Sequence, residues 1–126
     1  MGPGMKTILI ADDKASGRDL FKTVLEGCGY RIVEAADGRE ALQQARECHP
    51  DLIILDLHMP DIDGYGVLRV LRGEAAFADL PIVALTASAM PEDRERVLSV
   101  GFTDFLSKPI RLSALRSEVA RLLGAG

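Results

Sequence analysis

Leu52-Ile53-Ile54-Leu55-Asp56 sets four consecutive aliphatic residues directly before a carboxylate. A strand with one face in water alternates apolar and polar residues. A strand apolar on both faces belongs in a sheet covered on both sides, as parallel sheets are. Ile82-Val83-Ala84-Leu85 repeats the pattern just before Thr86. Outward from these two runs, Thr7–Ala11, Tyr30–Glu34 and Asp104–Ser107 also read as strands, bringing the total to five.

Between the strands, apolar residues recur at helical spacing. Phe21, Val24, Leu25 and Cys28 form the first stripe, and Ala41, Leu42 and Ala45 the second, after a turn at Asp37-Gly38. Val67, Leu68 and Leu71 form the third, with Gly64 relaxing the backbone before it. Leu112, Leu115, Val119, Leu122 and Leu123 belong to the fifth. The fourth helix, Pro91 to Val100, is thinly apolar, with Val97, Leu98 and Val100 near its end. Pro91 suits a first turn and Gly101 a stop. Strands alternating with helices give an α/β domain with a parallel sheet flanked by helices. Right-handed crossovers then gather the strand C-termini at one edge, where such sheets bind their ligands.

Composition narrows the function. A length of 126 residues suits one domain, expected over residues 6–124, with 1–5 a leader or expression remnant ending at a natural start, Met5. No output domain is expected. The net charge of -4 argues against nucleic acid as a direct ligand, because phosphate backbones need a basic face. No apolar run approaches the length of a membrane span, and no signal-peptide pattern is present. Cys28 and Cys48 lack the spacing of a disulfide or zinc framework, so a cytoplasmic setting is expected. His49 beside Cys48 is weak as a metal hint.

The polar residues fall into place on this frame. Asp12 and Asp13 end the first strand, Asp56 the third and Thr86 the fourth, and Lys108 follows the fifth. Three carboxylates at one edge repel one another unless neutralised. Oxygen ligands with room for water favour Mg²⁺, octahedral at about 2.1 Å. Read alone, Asp12-Asp13 is equally a solvated turn, with Asp13 capping a helix that starts near Lys14. Asp56 has no such alternative, because the next helix begins about eight residues later, beyond a loop rich in turn formers. A carboxylate held beside a metal attacks phosphorus to form an acyl phosphate. Lys108 offers a point charge and Thr86 a hydroxyl to the phosphoryl oxygens, while the small Ala87 leaves access. Pro109 after Lys108 opens the option of a cis peptide.

Asp12-Asp13, Asp56-x-x-Met59-Pro60-x-x-Asp63-Gly64, Thr86-Ala87 and Lys108-Pro109 stand in order over Lys6 to Leu123. In this combination the chain resembles the receiver domains of two-component response regulators. The resemblance implies a (βα)₅ doubly wound, flavodoxin-like fold with strand order 2-1-3-4-5. It implies phosphorylation of Asp56 by a histidine kinase or histidine phosphotransfer protein, with Mg²⁺ held by Asp13, Asp56 and the main-chain carbonyl of His58. Asp12 acts mainly through bound water. By the same resemblance Thr86, Ala87 and Lys108 would hold the phosphoryl group, Lys108–Pro109 would be cis, and His58 and Ser88 would flank the hydrolytic water's route and tune the lifetime.

Thr86 and Phe105 are the expected switch pair, with Phe105 where the family carries its switch aromatic and Ile110 where an aromatic often follows Lys-Pro. The face made by the fourth helix, fifth strand and fifth helix is expected to bind a downstream protein target. The expected protein is a phosphorelay switch and not an enzyme beyond its own phosphorylation and dephosphorylation, a monomer or weak dimer, resembling stand-alone regulators and hybrid-kinase receivers.

Two rival readings fail on named positions. A haloacid-dehalogenase-type phosphatase carries a second Asp two residues after its nucleophile, where this chain has His58. A phosphate-binding loop follows a strand, whereas Gly2-Pro3-Gly4-Met5-Lys6-Thr7 precedes one, and no G-x-G-x-x-G occurs. A degenerate receiver, acting only as a docking surface, sits poorly with a full acidic, Thr and Lys set.

Overall fold

A computed structural model of the chain describes residues 5–87 and 90–124. Its elements run β1 Thr7–Ala11, α1 Ala15–Gly27, β2 Arg31–Ala35, α2 Gly38–Cys48, β3 Leu52–Asp56, α3 Gly64–Arg72, a short 3₁₀ turn Ala75–Phe77, β4 Ile82–Thr86, α4 Pro91–Ser99, β5 Asp104–Ser107 and α5 Leu112–Leu123. The five strands are parallel and ordered β2-β1-β3-β4-β5. This is the flavodoxin-like arrangement that the resemblance implies.

The continuous apolar runs are divided between two cores. From β3, Ile53 and Leu55 point toward α2 and α3, into a layer with Ala41, Leu42, Val67, Leu68 and Leu71. Leu52 and Ile54 point the other way, into a layer with Phe21, Leu25, Leu115 and Val119 from α1 and α5. Every residue of β3 and of β4 is buried. The edge strand β5 is half-buried throughout, so Phe105 lies at the border of the core rather than inside a buried strand.

Several local expectations need correction. The second strand runs one residue later than Tyr30–Glu34, and β3 and β4 extend to Asp56 and Thr86. Asp37 is not a free turn but the N-cap of α2, its carboxylate accepting from the Glu40 N–H, while Gly38 is already helical. Asp13 caps nothing: α1 begins at Ala15, with Lys14 at the cap position and no side-chain cap bond. Cys28 lies past the end of α1 and is exposed, so it does not extend the apolar stripe. Gly64 matters through close approach rather than backbone freedom, because a Cβ there would stand 2.6 Å from the Asp56 carbonyl oxygen and 2.8 Å from Leu57 Cα.

α4 is anchored lightly. Val97 is its one fully buried residue, while Leu98 is exposed, as is Val100 just beyond the helix. Gly101 ends the element with φ +118, a backbone conformation that favours glycine.

Candidate functional site

β1 and β3 are neighbours, so the residues at their C-terminal ends meet. Asp12 is 2% exposed and Asp56 2% exposed, while Asp13 faces solvent. One carboxylate oxygen from each of the three lies within 4.8 Å of the others. Among the described residues this is the one such His, Cys, Asp or Glu group; Cys48 and His49 join none, and His49 stacks on Phe77 instead.

Each polar atom of Asp12 is held. Its N–H donates to the Ala35 carbonyl at 3.1 Å, and its carbonyl accepts from Arg18 Nη1 at 2.7 Å. Oδ1 accepts from the Lys14 N–H at 3.0 Å, and Oδ2 faces Lys108 Nζ at 3.5 Å. Gly17 makes room, since a Cβ there would sit 3.2 Å from Asp12 Oδ2.

Asp56 is held from two sides. Oδ1 accepts from the His58 N–H at 3.0 Å, and Oδ2 accepts from Lys108 Nζ at 2.9 Å. The Lys108 N–H donates to the Thr86 carbonyl at 2.7 Å, which anchors its backbone beside the end of β4, and its peptide to Pro109 is cis. Burial disfavours the Lys108 ammonium, but the hydrogen bond and charge of Asp56, followed by the charge of Asp12, hold its pKa above the ordinary lysine value.

Asp13, Asp56, His58, Ala87 and Lys108, together with Lys14, line one open cleft of about 300 Å³. Thr86 is buried and borders an adjoining hollow with Leu57, His58, Asp63, Tyr65, Asp93 and Arg96. Phe105 pairs with Ala84 in the β4–β5 ladder and lies outside both hollows. Ser88 lies outside the described residues.

Two contributors were not anticipated. Arg18 falls at helical spacing with Phe21 and Leu25, and a charged residue at a stripe position is a signal that it is held from within. Its partner Glu34, at 3.2 Å, comes from β2 and carries no comparable mark in the sequence.

This arrangement, with an acidic triad and a lysine at the carboxyl edge of a 2-1-3-4-5 sheet, defines a receiver-type switch. The sequence matches the response regulator receiver domain family over residues 8–120, and the chain belongs to it. It is therefore a phosphoryl-accepting signalling switch of the two-component class.

Relatives bear this out. The chain is 42% identical over 116 residues to the probable transcriptional regulator ycf27 of Porphyridium aerugineum, covering 92% of this chain and 47% of that protein. It therefore spans about half of that relative's length. With the polar-differentiation response regulator DivK of Brucella ovis it shares 34% identity over 119 residues, covering 94% and 97% of the two chains. Among solved structures, the chemotaxis response regulator CheY4 of Vibrio cholerae superposes with TM-score 0.89 at 34% identity, over 94% of this chain and 98% of that one. The receiver domain of the sensor histidine kinase PA1611 from Pseudomonas aeruginosa, which holds a magnesium ion in its active site cleft, gives TM-score 0.86 at 33% identity, over 95% and 98%. Among the described residues no helix is long and apolar enough to cross a membrane.

Proposed function

We propose that Asp56 accepts a phosphoryl group from the phosphohistidine of a histidine kinase or phosphotransfer protein in the cytoplasm. One observation carries this: a carboxylate 2% exposed, at the mouth of a cleft, flanked by two further carboxylates and bonded to a lysine at 2.9 Å. Burying a carboxylate beside two others is costly even with a lysine on it, which supports a functional rather than a merely structural role.

The donor set fits Mg²⁺, being all oxygen and open to water. Asp13, Asp56 and the His58 carbonyl would hold it, with Asp12 acting through water. Bound there, the ion offsets negative charge on the nucleophile and the phosphoryl oxygens. The chain's own residues do the rest. An Asp56 oxygen bonds to phosphorus as the phosphorus–nitrogen bond breaks, and the electron pair leaves with the imidazole. Lys108 exchanges carboxylate oxygen for phosphoryl oxygen, and the Thr86 hydroxyl and Ala87 N–H donate to the same group. The protein catalyses this step and the hydrolysis of its own acyl phosphate, and no other turnover. His58 is exposed at the cleft and, with Ser88, sets the lifetime at minutes or longer, since neither positions water as a carboxamide or carboxylate does.

The output follows from charge. An acyl phosphate adds about -1.5 to -2 charge, comparable to a phosphomonoester. Thr86 moves toward it, Phe105 rotates into the vacated space, and the α4-β5-α5 face changes its affinity for a downstream protein. Incubation with acetyl phosphate and Mg²⁺ tests the reading: one alkali-labile phosphoryl group is expected, absent in Asp56→Asn. Equal labelling of that variant moves the acceptor elsewhere.

A further inference from the structure

Arg18 is the least exposed charged partner near the acidic pair, its side chain 16% exposed. Its guanidinium makes two contacts in different directions. Nη1 donates to the Asp12 carbonyl at 2.7 Å, and Nε donates to Glu34 Oε1 at 3.2 Å. Lys22 Nζ stands 3.6 Å from the other Glu34 oxygen, so Glu34 is pinned on both sides. The Asp12 carbonyl belongs to the peptide that leads into Asp13. Holding that oxygen fixes the peptide plane that carries the Asp13 N and Cα atoms, and so restricts where the exposed Asp13 side chain leaves the backbone.

We propose that Arg18, oriented by Glu34, is a positioning residue for the Asp13 carboxylate. It raises divalent-cation affinity by geometry while opposing it by charge. The proposal rests on the reading of the acidic cluster as a divalent-cation site.

The two effects have opposite signs, which makes the idea decidable. A cation bonded to the main-chain carbonyl of one of the three acids disfavours a second cation among them, so on electrostatics alone Arg18→Met tightens binding. Positioning demands the reverse. Partners that orient a metal ligand from behind are worth about 10- to 100-fold in affinity. Arg18→Lys separates the effects further, because it keeps the charge but lacks the planar fork that reaches a carbonyl and a carboxylate together.

The test is Mg²⁺ titration followed by amide chemical shifts, with Mn²⁺ binding by electron paramagnetic resonance as a second readout. It uses the wild type, R18M, R18K and Asp13→Asn, each checked for fold by circular dichroism. About tenfold weaker binding in R18M, and weaker binding in R18K, is the expected result. Should R18M fail to fold, the R18K affinity decides alone. Unchanged or tighter binding in a folded R18 variant overturns the proposal, and so does a lowered melting temperature with wild-type affinity, the mark of a structural residue only. Wild-type affinity in Asp13→Asn would instead overturn the cation-site reading, and the positioning role with it.

Discussion

Lys108 Nζ bridges Asp56 Oδ2 at 2.9 Å and Asp12 Oδ2 at 3.5 Å, so one ammonium following β5 serves carboxylates carried by β1 and β3. On the proposed reading the lysine stands where phosphoryl oxygen would arrive, and its ammonium partly neutralises two of the three acids.

The bridge gives stability a defined pH dependence. Burial lowers the Lys108 pKa, but the bond to Asp56 and the charges of Asp56 and Asp12 outweigh it, so the folded-state value lies above that of an ordinary lysine. A lysine raised on folding contributes stability that is complete below its unfolded-state value and lost as pH rises through the folded one. Lys108→Met should therefore be less stable than the wild type at neutral pH, with the gap closing above about pH 10.5. Urea unfolding of both proteins at neutral and strongly alkaline pH measures this. A gap that widens at alkaline pH contradicts the assignment.

Asp13→Asn should act in two opposite directions. It removes one of three crowded carboxylates, and because Asp13 is exposed the relief in the metal-free protein should be about 0.5 kcal/mol. Mg²⁺ should then no longer raise the melting temperature, since stabilisation by a ligand requires its binding to the folded state. Thermal melts with and without Mg²⁺ check both effects, and a full Mg²⁺ response in the variant would remove Asp13 from the site.

Much of this was legible in the sequence because it lies on regular elements. Leu52–Leu55 and Ile82–Leu85 are apolar without alternation, and that alone marks β3 and β4 as central strands. Once the sheet is parallel, Asp12, Asp56, Thr86 and Lys108 must share an edge. What was not legible depends on contacts between elements far apart in sequence. Glu34 bonds Arg18 across 16 positions, and Gly64 leaves no room for a Cβ against the Asp56 carbonyl oxygen from the far side of a loop. Asp37 is ambiguous for a different reason: Asp-Gly serves a turn and a helix start equally well, and only the Glu40 N–H decides between them.

Gly64 permits a test of the loop after Asp56. An added Cβ would meet main-chain atoms at 2.6 and 2.8 Å, which cannot swing aside as a flexible side chain would. Gly64→Ala should cost about 1–3 kcal/mol in urea unfolding, as overpacking against backbone does. It should also slow labelling by acetyl phosphate, because the displaced segment carries Asp56 itself. Gly73→Ala, whose added Cβ would meet its nearest neighbour, the Val70 carbonyl oxygen, at 3.4 Å, serves as the control. Equal stability of the two variants would show that the loop yields freely.

The switch itself is tested at Phe105. Its ring carries the Arg94 guanidinium 5.4 Å from the centroid, a contact from α4 that a phenylalanine makes without a hydroxyl. α4 buries only Val97 completely, and elements with few buried contacts shift at low cost. Rotation of the ring should therefore be felt along α4. With Mg²⁺ and the phosphoryl mimic beryllofluoride, amide shifts should change at Phe105 and through Pro91–Val100, not only near Asp12, Asp56 and Lys108. An exposed cation–ring contact contributes about 0.5–1 kcal/mol, so Arg94→Gln should move the free protein about two- to fivefold toward the shifted state. Changes confined to the three site loops would show that this route does not operate. An unaltered free-state spectrum of α4 in Arg94→Gln would remove Arg94 from it.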